Sequence, residues 1–275
     1  MIASGLAAGG STWVGATDYD PGQIEPVSAD AMAAGFSQMS GEDLPLIGLP
    51  TWWLVMAQGF HANSCLDAAL TLEAAYQVLG IRAVPVFVEV WTARVDTGER
   101  YHRASSAPRL EGTTLAGGHV GVWLPDHHRF VDPTVQQFPE VRRESVSPFV
   151  GRLPGSWEEL AQQRTVLAYL RGKTLVTYWP LPIEQTAHIT EAYRQLVREL
   201  DPPEGHHRSG VNLATEFLDF LRSTDNLPIR IATSSHGRIH QLLGTLKGAR
   251  IEKEGKALRI YLASHSGGLL LDEIP

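Results

Sequence analysis

The chain is poor in cysteine: Cys65 is the single thiol in 275 residues. One thiol excludes an internal disulfide framework and a multi-cysteine zinc site. It leaves Cys65 as either a small buried apolar residue or a reactive nucleophile, and a reducing compartment suits it best. Lysine is absent from the first 150 residues, where 8 Arg face 16 acidic residues. With a net charge of -7 for the whole chain, unspecific attraction to phosphate backbones or anionic membranes is not expected. Long hydrophobic runs are lacking too. The longest charge-free stretch, Leu44 to Leu66, is broken by Pro45, Pro50, Gln58, His61 and Asn63, which makes it poor material for a membrane span. The opening MIASGLAAGGSTWVG has neither the basic start nor the compact apolar centre of a signal peptide. No glycine-rich phosphate loop or dinucleotide fingerprint occurs, so no cofactor is implied. With 43% hydrophobic and 19% charged residues, the expectation is a folded, soluble, cytoplasmic protein.

Residues 1–45, rich in Gly, Ala, Ser and Asp without sustained period, read as an irregular arm, with a short helix near Ser28 to Ser37. Leu46 to Phe60 reads as a buried helix. Ser64 and Asp67 have the spacing of a capping box, and Gly80 supplies a stop, so LDAALTLEAAYQVL between them is a helix that is apolar on most sides. Val84, Val86, Val88 and Val90 alternate as a strand with one buried face. Val95 to Gly118 reads as a loop long enough to act as a lid. HVGVWL from His119 and RFVDPTV from Arg129 form a hairpin around PDHH. Residues 46–150 would thus make one core. Residues 151–275, with 15 basic against 14 acidic residues, form a C-terminal extension. In it Trp157 to Leu170, Ile183 to Leu200, Leu213 to Leu221 and Arg238 to Leu246 read as helices, and Lys173 to Trp179, Pro228 to Ala232 and Leu258 to Leu262 as strands.

Three residues in this pattern carry chemistry: Cys65, His119 and Asp132, separated by 54 and 13 positions. A thiol at a helix N-terminus faces unsatisfied amides whose partial positive charge favours thiolate, the nucleophilic form. His119, at a strand start after Gly117-Gly118, is placed to take the thiol proton and return it to a leaving group. Asp132, on the next strand, would fix the ring tautomer and stabilise the imidazolium. An oxyanion would need donors: the Cys65 amide and the side chain of Gln58 or Asn63 are the candidates.

Each residue also has a structural reading. A lone cysteine on an apolar helix is commonly core, a strand histidine is commonly inert, and Asp-Pro is an ordinary turn opener. Trp52, Trp53 and Trp91 read as core rather than a substrate platform. The adjacent pairs His127-His128 and His206-His207 read as surface histidines rather than metal ligands, and His61 ranks below His119 as a base. Residues 230–259 hold seven basic side chains against Glu252 and Glu254. They read as a solvated face, with an anionic partner such as a phosphopantetheine carrier or a nucleic acid as the less favoured alternative.

The segments NSCLDAALTLEAAYQVLGIRAVPVFVEV, GGHVGVWL and RFVDPTVQQF, covering about residues 50 to 140, resemble the transglutaminase-like cysteine enzymes. The resemblance implies an α+β fold with a papain/transglutaminase-like core, N-terminal helices packed on an antiparallel sheet, and a C-terminal α/β extension. It makes Cys65 the nucleophile, His119 the base and Asp132 the orienting residue, with no metal. It implies acyl transfer, or amide or peptide hydrolysis, on a peptide, protein or acyl-thioester substrate, with a carrier protein as a candidate partner. Fold alone does not choose among these. The rival readings are a non-catalytic binding protein that keeps the fold around an inert, buried Cys65, and a histidine metal hydrolase.

Overall fold

The computed structural model describes residues 29–56, 64–144, 147–200, 205–224 and 227–275. The helices α1 (Ala29–Phe36), α2 (Asp43–Met56) and α3 (Cys65–Val78) come first. Strands β1 (Val84–Arg94), β2 (Arg100–Ala104), β3 (Arg109–Glu111), β4 (Thr114–Ala116), β5 (His119–Leu124) and β6 (Arg129–Asp132) follow. Next come α4 (Pro139–Arg142), β7 (Phe149–Arg152), α5 (Trp157–Gln162), β8 (Leu167–Arg171) and β9 (Thr174–Pro180). The last elements are α6 (Ile183–Leu200), α7 (Gly205–Ser223), α8 (Leu227–Ala232), α9 (Gly237–Thr245) and the hairpin β10 (Arg250–Glu254) with β11 (Ala257–Tyr261). The chain is α+β.

The main sheet is antiparallel in the order β7-β6-β5-β1-β9-β8, with β2 paired to the far half of β1 beyond an irregularity at Val90/Trp91. It curls until its two outer strands meet. Phe149 on β7 stacks on Tyr169 on β8 with ring centroids 3.9 Å apart, and Arg171 donates to the carbonyls of Ser147 and Pro148. Val86, Val88, Val90, Phe130, Trp157, Val176 and Tyr178 fill the inside of the curl. Phe87, Val120, Val122 and Val131, alternating with them, face outward onto the helices. The valine alternation in β1 therefore marks one of two buried faces, because α3 covers the other. Residues 151–275 do not stand apart from this core: β8 and β9 are strands of the same sheet, and β9 pairs with β1 along seven residues, Val88 to Arg94.

Helix α3 is buried along ten residues between Cys65 and Tyr76, as its composition predicts. It lies between the sheet and α7. It ends where Gly80 adopts φ +76°, with the Ile81 amide donating to the Tyr76 carbonyl and the Gly80 amide to that of Gln77. The expected capping box at its start is not formed. The Ser64 side chain caps no amide of α3, and Asp67 instead accepts from the Tyr193 hydroxyl and the His206 ring, each at 2.7 Å. Donors from α6 and α7 displace the local cap.

Several other expectations change. Residues 29–45 hold α1, the short helix expected near Ser28 to Ser37, and also the start of α2, with Phe36 and Leu44 fully buried, so this part of the chain is packed rather than an irregular arm. Val95 to Gly118 carries β2, β3 and β4 instead of a loop, since Arg100–Ala104 finds an unpaired stretch of β1 to bond. The helix from Trp157 stops at Gln162. Arg164 turns to φ +50°, the Thr165 amide reaches Leu160 and the Arg164 amide reaches Ala161, a Schellman ending, and β8 follows. Pro228 to Ala232 belongs to a helix, with Leu227 and Ile231 buried on one face and Ile229 exposed. A short apolar run does not by itself separate period 2 from period 3.6.

Candidate active site

Cys65 opens α3, and His119 opens β5. The helix runs back along the sheet from the turn at Gly80. Its 14 residues span about 21 Å at ~1.5 Å each, the length of about six strand residues at ~3.3 Å. Counting six from Val84 reaches Val90, two beyond Val88, the residue that faces His119 in the register. The helix N-terminus is thereby brought level with the start of β5. Gly118 is needed there, because a Cβ would stand 2.7 Å from Pro108 Cβ and 3.0 Å from the Leu115 side chain.

His119 is 1% exposed, Cys65 2% and Asp132 not at all. His119 Nε2 donates to Asp132 Oδ2 at 2.7 Å. Cys65 is close enough to the same ring to act on its ionisation. Burial alone would lower the pKa of His119. The charge and hydrogen bond of Asp132 outweigh it, with a further contribution from Cys65, and push the ring up to about 10. Asp132 is held in turn by the Thr134 amide at 3.0 Å and by the Tyr178 hydroxyl at 2.7 Å. Burial, and the negative charge of Asp132, raise the Tyr178 pKa well above its ordinary value, so the phenol stays protonated and donates.

Sequence reasoning missed two members of this cluster. Tyr178 comes from β9, 46 residues beyond Asp132, and only strand pairing brings it there. Gln137 ends the 3-10 turn Val135–Gln137 and places its amide nitrogen 2.7 Å from His119 Nδ1. Its turn is held by Arg142, which donates to the Gln136 and Gln137 carbonyls. Gln137 follows Asp132 closely, so the DPTVQQ segment was the available signal. Phe138, next in the chain, packs on the His119 ring with centroids 5.1 Å apart. The oxyanion candidates Gln58 and Asn63, and the alternative base His61, lie outside the described residues.

The remaining candidates disperse. His206 bonds Asp67 and His207 bonds Asp272. His127 packs near the buried His236, whose Nε2 bonds the Glu42 carbonyl. His206 is only 14% exposed and so is not the surface residue its sequence suggests. Among the described residues, no group of three or more His, Cys, Asp or Glu is placed to hold a metal ion. Nor is any helix among them long and apolar enough to cross a membrane. Within the basic stretch, Arg230 and Arg238 are spent on carbonyls of Met39, Ile274 and Pro275, and Arg250 and Arg259 pair with Glu252 and Glu273. Trp52 and Trp53 pack against the core, whereas Trp91 is 37% exposed and stacks on His102. Trp91, Trp179, Arg100 and Arg164 line a cleft of about 1110 Å³, which includes Glu89, the residue after Val88.

Because the native ring binds its proton more tightly than the unfolded one, stability depends on pH. Below about 6.5 both states carry the proton and the stabilisation is complete. It is lost as pH rises from ~6.5 toward 10, where the unfolded chain releases a proton that the native site retains. Urea midpoints measured across this window are expected to fall with pH, and the fall should be shallower in His119→Gln.

A fold of this class, helices on a curled antiparallel sheet, is as far as architecture takes the assignment. In comparisons with family models, curated proteins and solved structures, the chain matches none.

Proposed function

We propose that this protein is a thiol-dependent acyl-transfer enzyme or amidase on a papain/transglutaminase-like core. Cys65 attacks an amide or thioester carbonyl. His119, which keeps its second proton up to about pH 10, carries the thiol proton in the resting pair and delivers it to the departing amine or thiol, while Asp132 holds the ring by Nε2 and stabilises its charge. Water or an amine then resolves the acyl-enzyme. The observation that carries this reading is a buried imidazole bonded to a buried carboxylate, with the chain's single thiol, also buried, near enough to act on the same ring. Two carboxylate donors, Tyr178 and Thr134, support it, since a carboxylate fixed by several hydrogen bonds holds a ring without reorganising.

The 2% exposure of Cys65 favours the rival reading, a binding protein with an inert thiol. One experiment separates the two. The native protein is incubated with a small acyl thioester across pH 6 to 9 and digested, and the Cys65 peptide is examined by mass spectrometry. The enzyme reading expects an acyl adduct on Cys65 that forms within minutes and decays on addition of an amine. An unmodified peptide at every pH, with full labelling after denaturation, would sink it.

A further inference from the structure

Trp91, expected in the core, is instead 37% exposed, and the reason lies in the length of β1. The outward face of this strand is covered by the helices at Phe87, but Glu89, Trp91 and Ala93 continue the same face beyond that cover. This open stretch is part of the floor of the cleft of about 1110 Å³. Trp179 of β9 lies opposite Glu89, while His102 and Arg100 of β2 lie opposite Trp91 and Ala93. The Trp91 ring stacks on His102 with centroids 4.4 Å apart, and its indole N–H donates to Glu89 Oε1 at 2.9 Å. Both contacts fix the orientation in which the ring is presented to the cleft.

Two guanidinium groups stand toward opposite ends of this floor. Arg100 marks the Ala93 end. Arg164 marks the Trp179 end, because it leads into β8, whose first residue, Leu167, pairs with Tyr178. Both side chains are exposed, and neither bonds an acidic group among the described residues. The four steps from Glu89 to Ala93 span about 13 Å at ~3.3 Å each. Glu89 is the one acidic residue among the described residues lining the cleft, and its carboxylate is already engaged by Trp91, with His102 Nε2 at 3.4 Å.

We propose that this cleft binds an acidic peptide segment in extended conformation. Alternate side chains of an extended chain point the same way. An apolar or aromatic side chain would lie on Trp91 and Trp179, and a carboxylate on either side of it, two residues before and two after, would reach Arg100 and Arg164, whose planar forks suit carboxylates. The volume exceeds the upper end of small-ligand pockets, about 1,000 Å³, which favours a chain segment over a single small anion. A nucleic acid is disfavoured, because its unbroken run of phosphates would meet Glu89 on a protein of net charge -7. The cleft adjoins the chain leading to His119, since Ser106 lines it and the Ser105 hydroxyl donates to the Gly117 carbonyl. The inference concerns binding alone and holds whether or not Cys65 is acylated.

The probe is a fluorescein-labelled peptide with glutamate at its second and sixth positions, phenylalanine at its fourth and alanine at the other four, titrated with the full chain at low salt and followed by fluorescence anisotropy. Its counterpart carries glutamine in place of both glutamates. The acidic peptide is expected to bind about tenfold more tightly than the neutral one, an advantage that shrinks as salt is added. Trp91→Ala should weaken binding by about tenfold, and Arg100→Gln and Arg164→Asn by about fivefold each. Asparagine suits the positive φ of Arg164. Arg82→Gln, at an exposed position before β1 begins and outside the cleft, should bind as wild type does. The two arginine variants carry the test if Trp91→Ala fails to fold. Equal affinity for the two peptides, wild-type affinity in both arginine variants, or no binding of the acidic peptide up to about 1 mM would each overturn the proposal. Tighter binding of a labelled thymidine oligonucleotide than of the acidic peptide would also overturn it, and would assign the cleft to single-stranded nucleic acid instead.

Discussion

Asp132→Asn is expected to slow acylation of Cys65 by about 10³- to 10⁴-fold in a protein that still folds. Asparagine fills the same volume, and its oxygen can go on accepting the Thr134 amide. Two changes then act in the same direction. The negative charge that holds the His119 pKa near 10 disappears, and burial, which lowers that pKa, is then opposed by Cys65 alone. The ring then holds its second proton less tightly. An amide NH₂ facing Nε2 also prefers the tautomer whose hydrogen is on Nδ1, the reverse of the one Asp132 selects. The two effects can be read separately. Titration of the His119 ring by NMR should move down from about 10, and single-turnover acylation gives the rate. A wild-type rate in Asp132→Asn would dismiss Asp132 as the orienting group.

The second large effect is expected far from the thiol, at Gly210. This residue lies where α7 crosses α3, and a Cβ on it would stand 2.5 Å from Ala74 Cβ, 2.7 Å from the Ala75 nitrogen and 2.7 Å from the Thr71 carbonyl oxygen. Two of those three atoms are backbone of the helix that carries Cys65. One added methyl must push the helices apart or break the crossing. Gly210→Ala should therefore cost about 3 kcal/mol, at the upper end of overpacking penalties. Gly244→Ala, in α9 with nothing within 4 Å of its Cβ position, is the matching control. It should stabilise by roughly 0.5–1 kcal/mol through helix propensity alone. Thermal or urea unfolding of the pair measures the contrast, and equal stabilities would show that the α3–α7 crossing yields easily.

Much of the local structure was legible in the sequence. Gly80 marks the end of α3 because only a residue free to take positive φ closes that helix without strain. The bounds Ile183–Leu200 of α6 follow from the 3.6-residue apolar period and the Asp201-Pro202-Pro203 stop. The hairpin of β5 and β6 follows from alternating apolar residues around PDHH. Local reasoning failed where the decision was made by a distant partner. Asp67 abandons its capping box for Tyr193 and His206, 126 and 139 residues away. Arg100–Ala104 becomes a strand because β5 leaves the far half of β1 open. The apolar run at Leu227–Ala232 becomes helical because that period buries Leu227 and Ile231 together.

The order helix-start cysteine, strand-start histidine and next-strand aspartate was written in the chain, since glycines, caps and alternation act over a few residues and set which element each side chain begins. How those elements meet was not. The approach of Cys65 to His119 depends on α3 lying along β1, and the support of Asp132 depends on Tyr178 arriving through β9. The Gln137 amide reaches Nδ1 only because the chain turns sharply after Asp132. These contacts arise from the curl of one antiparallel sheet, whose closure is driven by burying apolar surface from strands far apart in sequence. No local pattern encodes that closure, so only the tertiary structure could supply it.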